Sequence, residues 1–479
     1  MRYAAQRFGT WEWLDLEVPF DTDGPEYALS TYGIMECTIA PEIGLLKAED
    51  GRLLLEEWGT FIHVEDDNNI RRWTGIVVES ALEGAEWKVT VWEFPGYLDG
   101  LPVESLIRGV KADPADLVRQ IWLEAQSKPH SWHGASVEGS TPVRIGTDSD
   151  DKVAAARATM DARRATLDAL NKSKASATKD LQDLTATLAD EVSQARAQLT
   201  AAQSALSTLI KDNASSAEVD TARAVVTARQ ATLTQAQTAS TAETNAGKAA
   251  KAAAKTNKDA AQKAYDAAQK AYDSAKDKAQ EDGGAYEIRS EDLKDSLDAV
   301  NDLCDEAGLE WYTSTTYSTS EPILTVHVRS PKVGTRRDDL VFEQGVNIIS
   351  ELRLTRGKDY ANAAIGVGAG EGDKAVRSAV ASTSPRMRRV TVVEDKSIKT
   401  VSAMAPIMQK DLNKRTGDPF VATITVVDTP FAPMFSWNVG DTITVSGNVP
   451  HYGYYSKLHR ITAWQMKGEY QAELTLELA

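Results

Sequence analysis

The glycine-rich segment at residues 366–372 is the one place in the sequence where residue spacing suggests phosphate binding. Closely spaced glycines can direct backbone N–H groups at an anion, and this segment follows a strand-like run at 363–365. The dinucleotide-binding pattern is not met, because Glu371 stands where the third glycine belongs. Glu371 and Asp373 would also repel a phosphate. We therefore predict a structural loop that connects two strands tightly, formed by Gly366, Gly368, Gly370 and Gly372.

Histidine is the second residue type that could bind a metal or transfer protons. His130 and His133 lie close together in a polar segment, and His63 lies in a separate strand-like run. A metal site needs further ligands at a suitable spacing, and the sequence supplies none, so packing or solvation is the expected role. His451 and His459 occur in a tyrosine-rich run, which favours packing or an interface.

Nucleophiles and acid–base pairs leave no clearer pattern. The sequence contains no G-x-S-x-G and no H-E-x-x-H motif, and neither cysteine has a Cys–His context that suggests catalysis. Two glutamates could act together as in a glycosidase, but the sequence does not place any pair at the required separation. The candidates for such a pair are Glu42, Glu56, Glu57 and Glu93. We therefore predict no catalytic, cofactor-binding or metal-binding residue.

Charge and cysteine content limit the partners. The 479 residues include 53 basic and 70 acidic side chains, which gives a formal net charge of −17. This balance disfavours nucleic acid and anionic membranes, since both need clustered Lys and Arg. The negative charge either keeps the protein soluble or, in a second interpretation, makes a lumen repel passing DNA. Two cysteines, Cys37 and Cys304, cannot form a dense disulfide framework, and no CxxC motif for zinc or redox chemistry occurs. The fold must therefore depend on packing, which suits a reducing cytosol.

Length and hydropathy bound the organisation. A chain of 479 residues suggests about three domains. Residues 1–13 lack the apolar stretch of a secretory signal, and no run of about 18 apolar residues occurs. We expect neither a signal peptide nor a membrane span.

The composition changes abruptly near residue 148 and changes back near residue 284. Residues 151–282 contain no Pro, Trp, Phe or His and a single Gly, while Ala, Thr, Ser, Gln, Lys and Asp dominate. Such a composition favours helix. Two helical stretches of similar length flank a polar break, which predicts an antiparallel helical hairpin over 148–284. The predicted tip consists of Asn213, Ala214, Ser215 and Ser216.

The core of this hairpin is predicted from apolar residues that recur mostly at spacings of 3, 4 or 7. The second arm also contains a direct heptad repeat, AQKAYDA at 261–267 and AQKAYDS at 268–274. A partly disordered linker is the alternative, but Leu and Val at core spacing argue against it. The predicted coiled-coil core consists of Leu167, Leu170, Leu181, Leu184, Leu188, Val192, Leu199, Leu206, Leu209, Val219, Val226, Leu233, Tyr265 and Tyr272.

The hairpin also predicts which residues face each other. If Ala214 marks the tip, position i of the first arm faces roughly position 428 − i of the second arm, since 428 is twice 214. Large residues of the first arm then meet small residues of the second, which lets the helices approach closely. The predicted pairs are Leu206 with Ala222, Leu181 with Gly247, and Leu167 with Ala261.

Strands dominate the predicted body on both sides of the insertion. Residues 61–64 and 70–78 alternate or run apolar around a polar turn, which predicts a β-hairpin. In the next strand, Trp87, Val89 and Val91 share one face. Further strands are predicted at 309–312 and 323–328, around the glycine-rich loop, and over the last 60 residues.

Capping signals predict the helices of the body. Asp113 before Pro114 is a typical helix start. A second helix is predicted to be capped by residues 290–292, to place Leu293 on its inward face, and to end at Gly308. A third helix is expected at about 400–415.

These elements predict an α+β fold with a β-barrel-rich body, small α/β segments and a long antiparallel coiled-coil insertion. The predicted domains are an N-terminal β-rich domain at 1–125, an α/β segment formed by 126–147 and 285–350, the hairpin at 148–284, and a C-terminal β-rich domain at 351–479. The hairpin leaves and re-enters the body close to one point, which suits an insertion into a surface loop.

Three groups of residues in the body, taken in order, resemble one known family. They are residues 29–32, 58–60 and 73–77, then 364–372 and 376–377, then 437–445 and 459–461. In this order they resemble the hub-type minor tail proteins of siphophages, which are related to the baseplate-hub and tail-associated proteins of other long-tailed phages. The resemblance covers about 1–147 and 285–479, and the helical insertion lies outside it.

The resemblance implies a structural virion protein at the phage tail tip, assembled in the host cytoplasm. It implies a homotrimer whose barrel-like β domains surround the tail axis and close or continue the tail tube. The implied partners are the distal tail protein, the tape measure protein and receptor-binding tail proteins. No enzymatic activity is expected.

Three alternatives use the same observations. A bacterial surface adhesin would use the hairpin as a coiled-coil stalk, although no signal peptide is found. A tail-associated cell-wall hydrolase would be indicated if the purified protein hydrolysed peptidoglycan. A binding-only accessory module would behave as a monomer in solution.

Overall fold

The computed structural model describes residues 1–318, 321–355, 360–370, 375–395, 398, 400–415 and 419–479. The chain forms two compact units. The body consists of Met1–Asp148 and Asp282–Ala479, and the hairpin consists of Ser149–Glu281. The predicted α+β class with a long helical hairpin is confirmed, and the body contains open sheets and a half-barrel.

The bounds of the elements are as follows. The helices are α1 (Pro41–Gly44), α2 (Pro114–Gln126), α3 (Ser149–Lys211), α4 (Ser216–Asp282), α5 (Ser296–Ala307) and α6 (Val401–Lys414). The strands of the first part of the body are β1 (Arg2–Arg7), β2 (Trp13–Asp15), β3 (Glu26–Ala28), β4 (Ile34–Ile39), β5 (Thr60–Glu65), β6 (Arg71–Glu83), β7 (Glu86–Glu93), β8 (Ile107–Gly109) and β9 (Ala135–Glu138). The strands of the second part are β10 (Tyr286–Ile288), β11 (Glu310–Ser318), β12 (Glu321–Arg329), β13 (Phe342–Glu343), β14 (Leu354–Thr355), β15 (Ala363–Val367), β16 (Arg377–Ala381), β17 (Val390–Glu394), β18 (Phe420–Val421), β19 (Thr423–Val427), β20 (Thr442–Val449), β21 (Gly453–Met466) and β22 (Gln471–Leu478).

The body contains two large sheets. The N-terminal sheet has the order β2-β1-β5-β6-β7-β4, and its neighbouring strands are all antiparallel. The C-terminal sheet has the order β13-β20-β21-β22-β19, and β3 pairs with β21 outside this path. β3 therefore belongs to the first part of the chain but adds a strand to the last sheet. Each large sheet has its own apolar core.

Smaller sheets complete the body. The middle sheet, β11-β12-β9, packs with α2 and α5 around a third core. The small sheet has the order β16-β15-β17, and two-stranded ladders join β10 to β8 and β14 to β18. The domain division at residues 125, 147 and 350 stays a prediction, although strand pairing crosses it: β3 pairs with β21, and β13 pairs with β20.

Most of the predicted local elements are found. β5 and β6 form the hairpin with the polar turn, and Trp87, Val89 and Val91 of β7 are buried. Asp113 caps α2, since its side chain accepts a hydrogen bond from the Ala115 N–H at 3.0 Å. Within the described residues, no helix is both long and apolar enough to cross a membrane.

The start of α5 differs from the prediction. Its N-cap is Asp295, whose carboxylate accepts hydrogen bonds from the N–H groups of Leu297 and Asp298. Leu293 was expected on the inward face, but it has a φ of +43° and is 61% exposed. Residues 290–292 form a separate 3₁₀ turn, so the helix begins later because Asp295 offers a cap closer to the apolar stripe. Gly308 ends the helix in a left-handed conformation, as predicted.

The hairpin consists of α3 with 63 residues and α4 with 67 residues. At 1.5 Å per residue, each helix is roughly 95–100 Å long. Asn213, Ala214 and Ser215 lie between the helices, Asn213 has a φ of +52°, and Ser216 is the first residue of α4. Ser215 and Glu218 form a capping box, with a hydrogen bond of 2.9 Å from the Ser215 N–H to the Glu218 carboxylate.

The structure places all fourteen residues of the expected coiled-coil core at buried or half-buried positions. Leu167, Leu188, Leu199 and Leu233 are buried, and the other ten are half-buried. Ala195 is also buried. It lies seven residues after Leu188, so the heptad spacing would have identified it if small residues had been considered.

One of the predicted helix–helix pairs is visible directly. A Cβ atom added to Gly247 would lie 2.7 Å from Cδ1 of Leu181, which confirms that these two residues face each other. Val192 and Ala236, which satisfy the same arithmetic because 428 − 192 is 236, pack in one cluster. The pairs Leu206 with Ala222 and Leu167 with Ala261 stay predictions.

We expect Gly247→Leu to destabilise the hairpin, because its side chain has no room beside Leu181. Overpacking of this kind costs about 1–3 kcal/mol, more than the roughly 1 kcal/mol that replacing a helical glycine returns. Thermal unfolding followed by circular dichroism at 222 nm measures the effect. Ala249→Leu, at an exposed position of the same helix, is the matched control and should leave the unfolding temperature nearly unchanged.

Candidate functional site

The glycine-rich loop connects two strands of the small sheet. It leads from β15 to β16, whereas a phosphate-binding loop leads from a strand into a helix. A Cβ atom on Gly366 would lie 2.4 Å from Cγ of Met404, and one on Gly368 would lie 2.4 Å from the carbonyl oxygen of Ile398. Gly370 has a φ of +98°. Close packing and backbone conformation therefore account for these three glycines, while Gly372 lies outside the described residues.

His63 and His133 are buried and held by packing, whereas His130 and His451 are exposed. Burial lowers the pKa of His133 to about 4, and its ring contacts Tyr97 at a centroid distance of 4.7 Å. Burial also lowers the pKa of His63 well below its ordinary value, and its ring nitrogens lie 2.8 Å from Thr74 Oγ1 and 3.0 Å from Gln6 Oε1. In the part of the chain that the structure describes, no group of three or more His, Cys, Asp or Glu side chains is arranged to hold a metal.

The hairpin root is the first candidate site in the body, and it is marked by hydrogen bonds that join the two ends of the insertion. We define it as residues 146–148 and 282–285, the two points where the chain leaves and re-enters the body. The Thr147 N–H donates to the Gly284 carbonyl oxygen at 2.7 Å, and the Thr147 hydroxyl donates to Oδ1 of Asp282 at 2.9 Å. The Gly284 N–H donates to the same Asp282 oxygen at 3.1 Å. These bonds hold the two ends of the insertion side by side.

Gly146 makes the hairpin root this compact. Its φ is +71°, and a Cβ atom there would lie 2.1 Å from the Gly109 carbonyl oxygen and 2.6 Å from the Tyr286 backbone nitrogen. The neighbouring Ile145 exchanges two backbone hydrogen bonds with Ala112, and β8 pairs with β10 beside it. The root is thus part of the body's own backbone hydrogen-bonded structure. A long insertion can be anchored there without disturbing an apolar core.

The junction is the second unusual place. We define it as Glu93, Thr313, Gly33, Tyr27 and Trp464, which bring together β7, β11, β3 and β21. The fully buried Glu93 carboxylate accepts a hydrogen bond from the Gly33 N–H at 3.0 Å and another from the Thr313 hydroxyl. Burial raises the pKa of Glu93 to about 7, against the opposing effect of these hydrogen bonds. A carboxyl group that changes charge near neutral pH therefore lies where the sheets meet.

Aromatic stacking completes the junction. The rings of Tyr27 and Trp464 stack at a centroid distance of 4.1 Å and an interplanar angle of 8°. Among the described residues, the buried Tyr27 hydroxyl has no hydrogen-bond partner, and burial raises its pKa well above the ordinary value. A buried polar atom without a partner costs about 1–3 kcal/mol, so the packing of β3 on β21 must offset that cost.

Two of the four glutamates considered for a catalytic pair have structural partners. Glu93 lies in the junction and is closed to solvent, and Glu56 forms ion pairs with Arg7 and Arg52. Glu93 was not recognised from the sequence as a buried group. The signal was present, because continuing the alternation of Trp87, Val89 and Val91 by one step reaches Glu93. The composition changes near residues 148 and 284 locate the hairpin root in the sequence, but the fit of Gly146 against Gly109 leaves no comparable pattern.

No protein-family model matches the chain, and no curated protein matches it. Among solved structures, it is similar to the 43 kDa tail protein of prophage MuSo2 from Shewanella oneidensis, with 9% identity, a TM-score of 0.47, and coverage of 100% of this chain and 98% of that chain. It is also similar to the E. coli c3393 protein, with 9% identity, a TM-score of 0.40, and coverage of 99% of this chain and 76% of that chain. The latter is described as a type VI secretion component with structural similarity to the T4 tail proteins gp27 and gp5. Both similarities concern the fold alone.

Gly146→Ala should destabilise the body, because the new Cβ atom meets the Gly109 carbonyl oxygen and the backbone conformation is left-handed. The conformation alone costs about 1–2 kcal/mol, and the steric conflict adds to it. The matched control is Gly100→Ala, which has a φ of +82° and open space around its Cβ position. Urea unfolding compares the two, and equal losses of unfolding free energy would contradict the role of close packing at the hairpin root.

Glu93→Gln should stabilise the protein above pH 7 and change little below pH 5. The raised pKa means that the folded state holds a proton which the unfolded state loses at about pH 4.5, so wild-type stability falls as pH rises from about 4.5 to 7. The amide is neutral at every pH and removes this loss, which is on the order of 3 kcal/mol. Urea unfolding at pH 5 and pH 8 measures it, with the exposed Glu86→Gln as control. A difference between wild type and Glu93→Gln that is the same at both pH values would refute the assignment.

Proposed function

We propose that the chain is a structural subunit of a phage tail tip. It assembles as a homotrimeric hub at the distal end of the tail tube and attaches the proteins that recognise the host. Its neighbours are the distal tail protein, the tape measure protein and receptor-binding tail proteins. In this role the body forms the ring, and the helical hairpin is an accessory that the body carries at the hairpin root.

The proposal rests on one observation. The three sequence segments that resemble hub-type tail proteins all lie in the body. The Leu29 N–H of the first segment donates to the Thr462 carbonyl oxygen beside the third segment at 3.0 Å. The second segment forms β15 and the start of β16 in the small sheet. The first and third segments are thus joined by a backbone hydrogen bond between residues more than 400 positions apart in the chain.

Exposed strand edges support self-association. The N-terminal sheet ends in β2, which pairs with β1 alone among the described strands. Trp13 within β2 is 37% exposed, and Leu16 just after it is 56% exposed. An unpaired edge that carries large apolar side chains is a hazard for a monomer, and a neighbouring subunit removes that hazard.

The absolute mass in solution tests the proposal. Light scattering on the purified chain should give three times its 52.0 kDa mass. A second variant replaces residues 149–281 with a short Gly-Ser loop and keeps Thr147, Asp282 and Gly284, so that the hairpin root can still form. It should also be a trimer, since the body makes the ring.

Two other results would contradict the proposal. Folded monomers in both cases would favour a binding-only accessory module. A trimer that is lost only in the deletion variant would make the helices the oligomerisation element and would contradict a ring formed by the body.

A further inference from the structure

The aromatic cluster, which we define as Tyr32, Trp58 and Trp92, lies at the surface of the body. The Trp58 and Trp92 rings meet edge to face, with a centroid distance of 6.0 Å and an interplanar angle of 89°. Tyr32 extends the row, since its ring centroid lies 5.1 Å from that of Trp92. Trp58 is 48% exposed, and Trp92 and Tyr32 are half-buried, so the row of rings is open to solvent.

The backbone holds these rings in place. Trp58 has a φ of +56°, which a bulky residue rarely adopts, and its N–H donates to the Val77 carbonyl oxygen at 2.7 Å. A Cβ atom on Gly96 would lie 3.1 Å from Cδ2 of Tyr32 and 3.0 Å from Cβ of Trp92, so both side chains pack tightly on that turn. Backbone strain of this kind is concentrated at ligand-binding and catalytic sites. Because a half-exposed indole gains little from packing, the strain at Trp58 is better explained by a ligand than by the core.

Negative charge adjoins the tyrosine end of the aromatic cluster. The Tyr32 hydroxyl donates a hydrogen bond to Oδ2 of Asp99 at 2.6 Å. Burial raises the pKa of Tyr32, and the hydrogen bond to Asp99 and the charges of Asp99 and Asp295 raise it further. Burial also raises the pKa of Asp298, and the carboxylates that add to this effect include Asp295 and Asp99. These groups therefore attract a positive charge to this end of the cluster.

None of the described Lys or Arg side chains supplies that charge. The cation–π contacts of the described residues lie on other rings. Asp99 and Asp298 form no ion pair in the described part of the chain, and there Asp99 accepts only the hydrogen bond from Tyr32, which leaves its Oδ1 free. Lys294, whose charge acts on Asp298, is paired with Asp302. The aromatic faces and carboxylates thus lack a matching cation.

We propose that the aromatic cluster and Asp99 bind a lysine side chain of a partner protein. The ammonium group donates to Oδ1 of Asp99 and lies over the Tyr32 ring, where a cation–π contact forms within about 6 Å of the centroid. The alkyl chain lies on Trp92 and Trp58, because lysine carries its compact charge on a four-carbon apolar stem. The site lies within one copy of the chain and does not depend on the proposed trimer.

Fluorine NMR on the full chain labelled with fluorotryptophan tests this site. Trp58→Phe, Trp92→Phe and Trp132→Phe each assign one signal by its loss. At constant ionic strength, the blocked peptide acetyl-Gly-Lys-Gly-amide should shift the Trp58 and Trp92 signals as its concentration rises, and n-butylammonium should shift the same two. Trp132 is 60% exposed but makes no ring contact among the described residues, so its signal is the matched control and should stay in place.

Two further comparisons isolate the role of charge. n-Butanol has the same alkyl chain without the charge and should shift the two signals far less than n-butylammonium. Asp99→Asn keeps the size of the side chain and should weaken peptide binding roughly two- to fivefold, which is the effect of one exposed charge pair. Asp212→Asn, at an exposed position near the hairpin tip, is the matched control and should bind the peptide as the wild type does. Circular dichroism checks that both variants are folded.

Four results would overturn the proposal. Equal shifts with n-butanol and n-butylammonium would show an apolar surface that does not select a cation. Shifts with n-butylammonium but none with the peptide would assign the site to a free amine instead of a protein partner. Undiminished peptide binding by Asp99→Asn would remove the carboxylate from the site, and unchanged Trp58 and Trp92 signals with every ligand would remove the site itself.

Discussion

The buried ion pair between Arg460 and Glu310 is the interaction on which the arrangement of the body depends. Arg460 lies in β21 with a side chain that is 5% exposed, and its guanidinium binds both carboxylate oxygens of Glu310 at the start of β11. It also donates to the carbonyl oxygens of Gly440 and Val333, at 3.1 and 2.9 Å. A buried cation costs several kcal/mol of desolvation unless its partners are fixed. The C-terminal sheet, the middle sheet and the segment between them are therefore held in a single arrangement.

The body is consequently interleaved along the chain. Glu26 to Ala28 form a strand of the C-terminal sheet, and the Trp73 indole N–H in the N-terminal sheet donates to the Glu26 carbonyl oxygen at 3.0 Å. The junction at Glu93 lies where these sheets meet the middle sheet. Proton binding at this one carboxyl group is thus coupled to the contact between sheets rather than to an exposed surface, because Glu93 lies in β7 and one of its hydrogen-bond donors, Thr313, lies in β11.

Local features of the fold could be predicted from the sequence, while the pairing of distant strands could not. The β5–β6 hairpin, the Asp113 cap and the two long helices follow from periodicity or composition within a short stretch, and the Leu181–Gly247 contact follows from the position of the hairpin tip. Leu293 was misplaced because two capping signals lie close together, and only packing chooses between them. The pairing of β3 with β21 has no local signature, since three residues carry no period. The hairpin root depends on the fit of Gly146 against Gly109, which only the folded backbone reveals.

The hairpin root has a consequence for how the insertion can vary. An insertion normally imposes a loop-closure cost that grows with its length. Two antiparallel helices bring their own ends together, so the packing of the helices offsets the loop-closure cost. The bonds among Thr147, Asp282 and Gly284 then join two ends that are already adjacent. Adding or removing equal numbers of heptads in both arms would leave that geometry unchanged. Related chains can therefore differ widely in arm length while sharing the same body, and arm length becomes a property that selection can adjust independently.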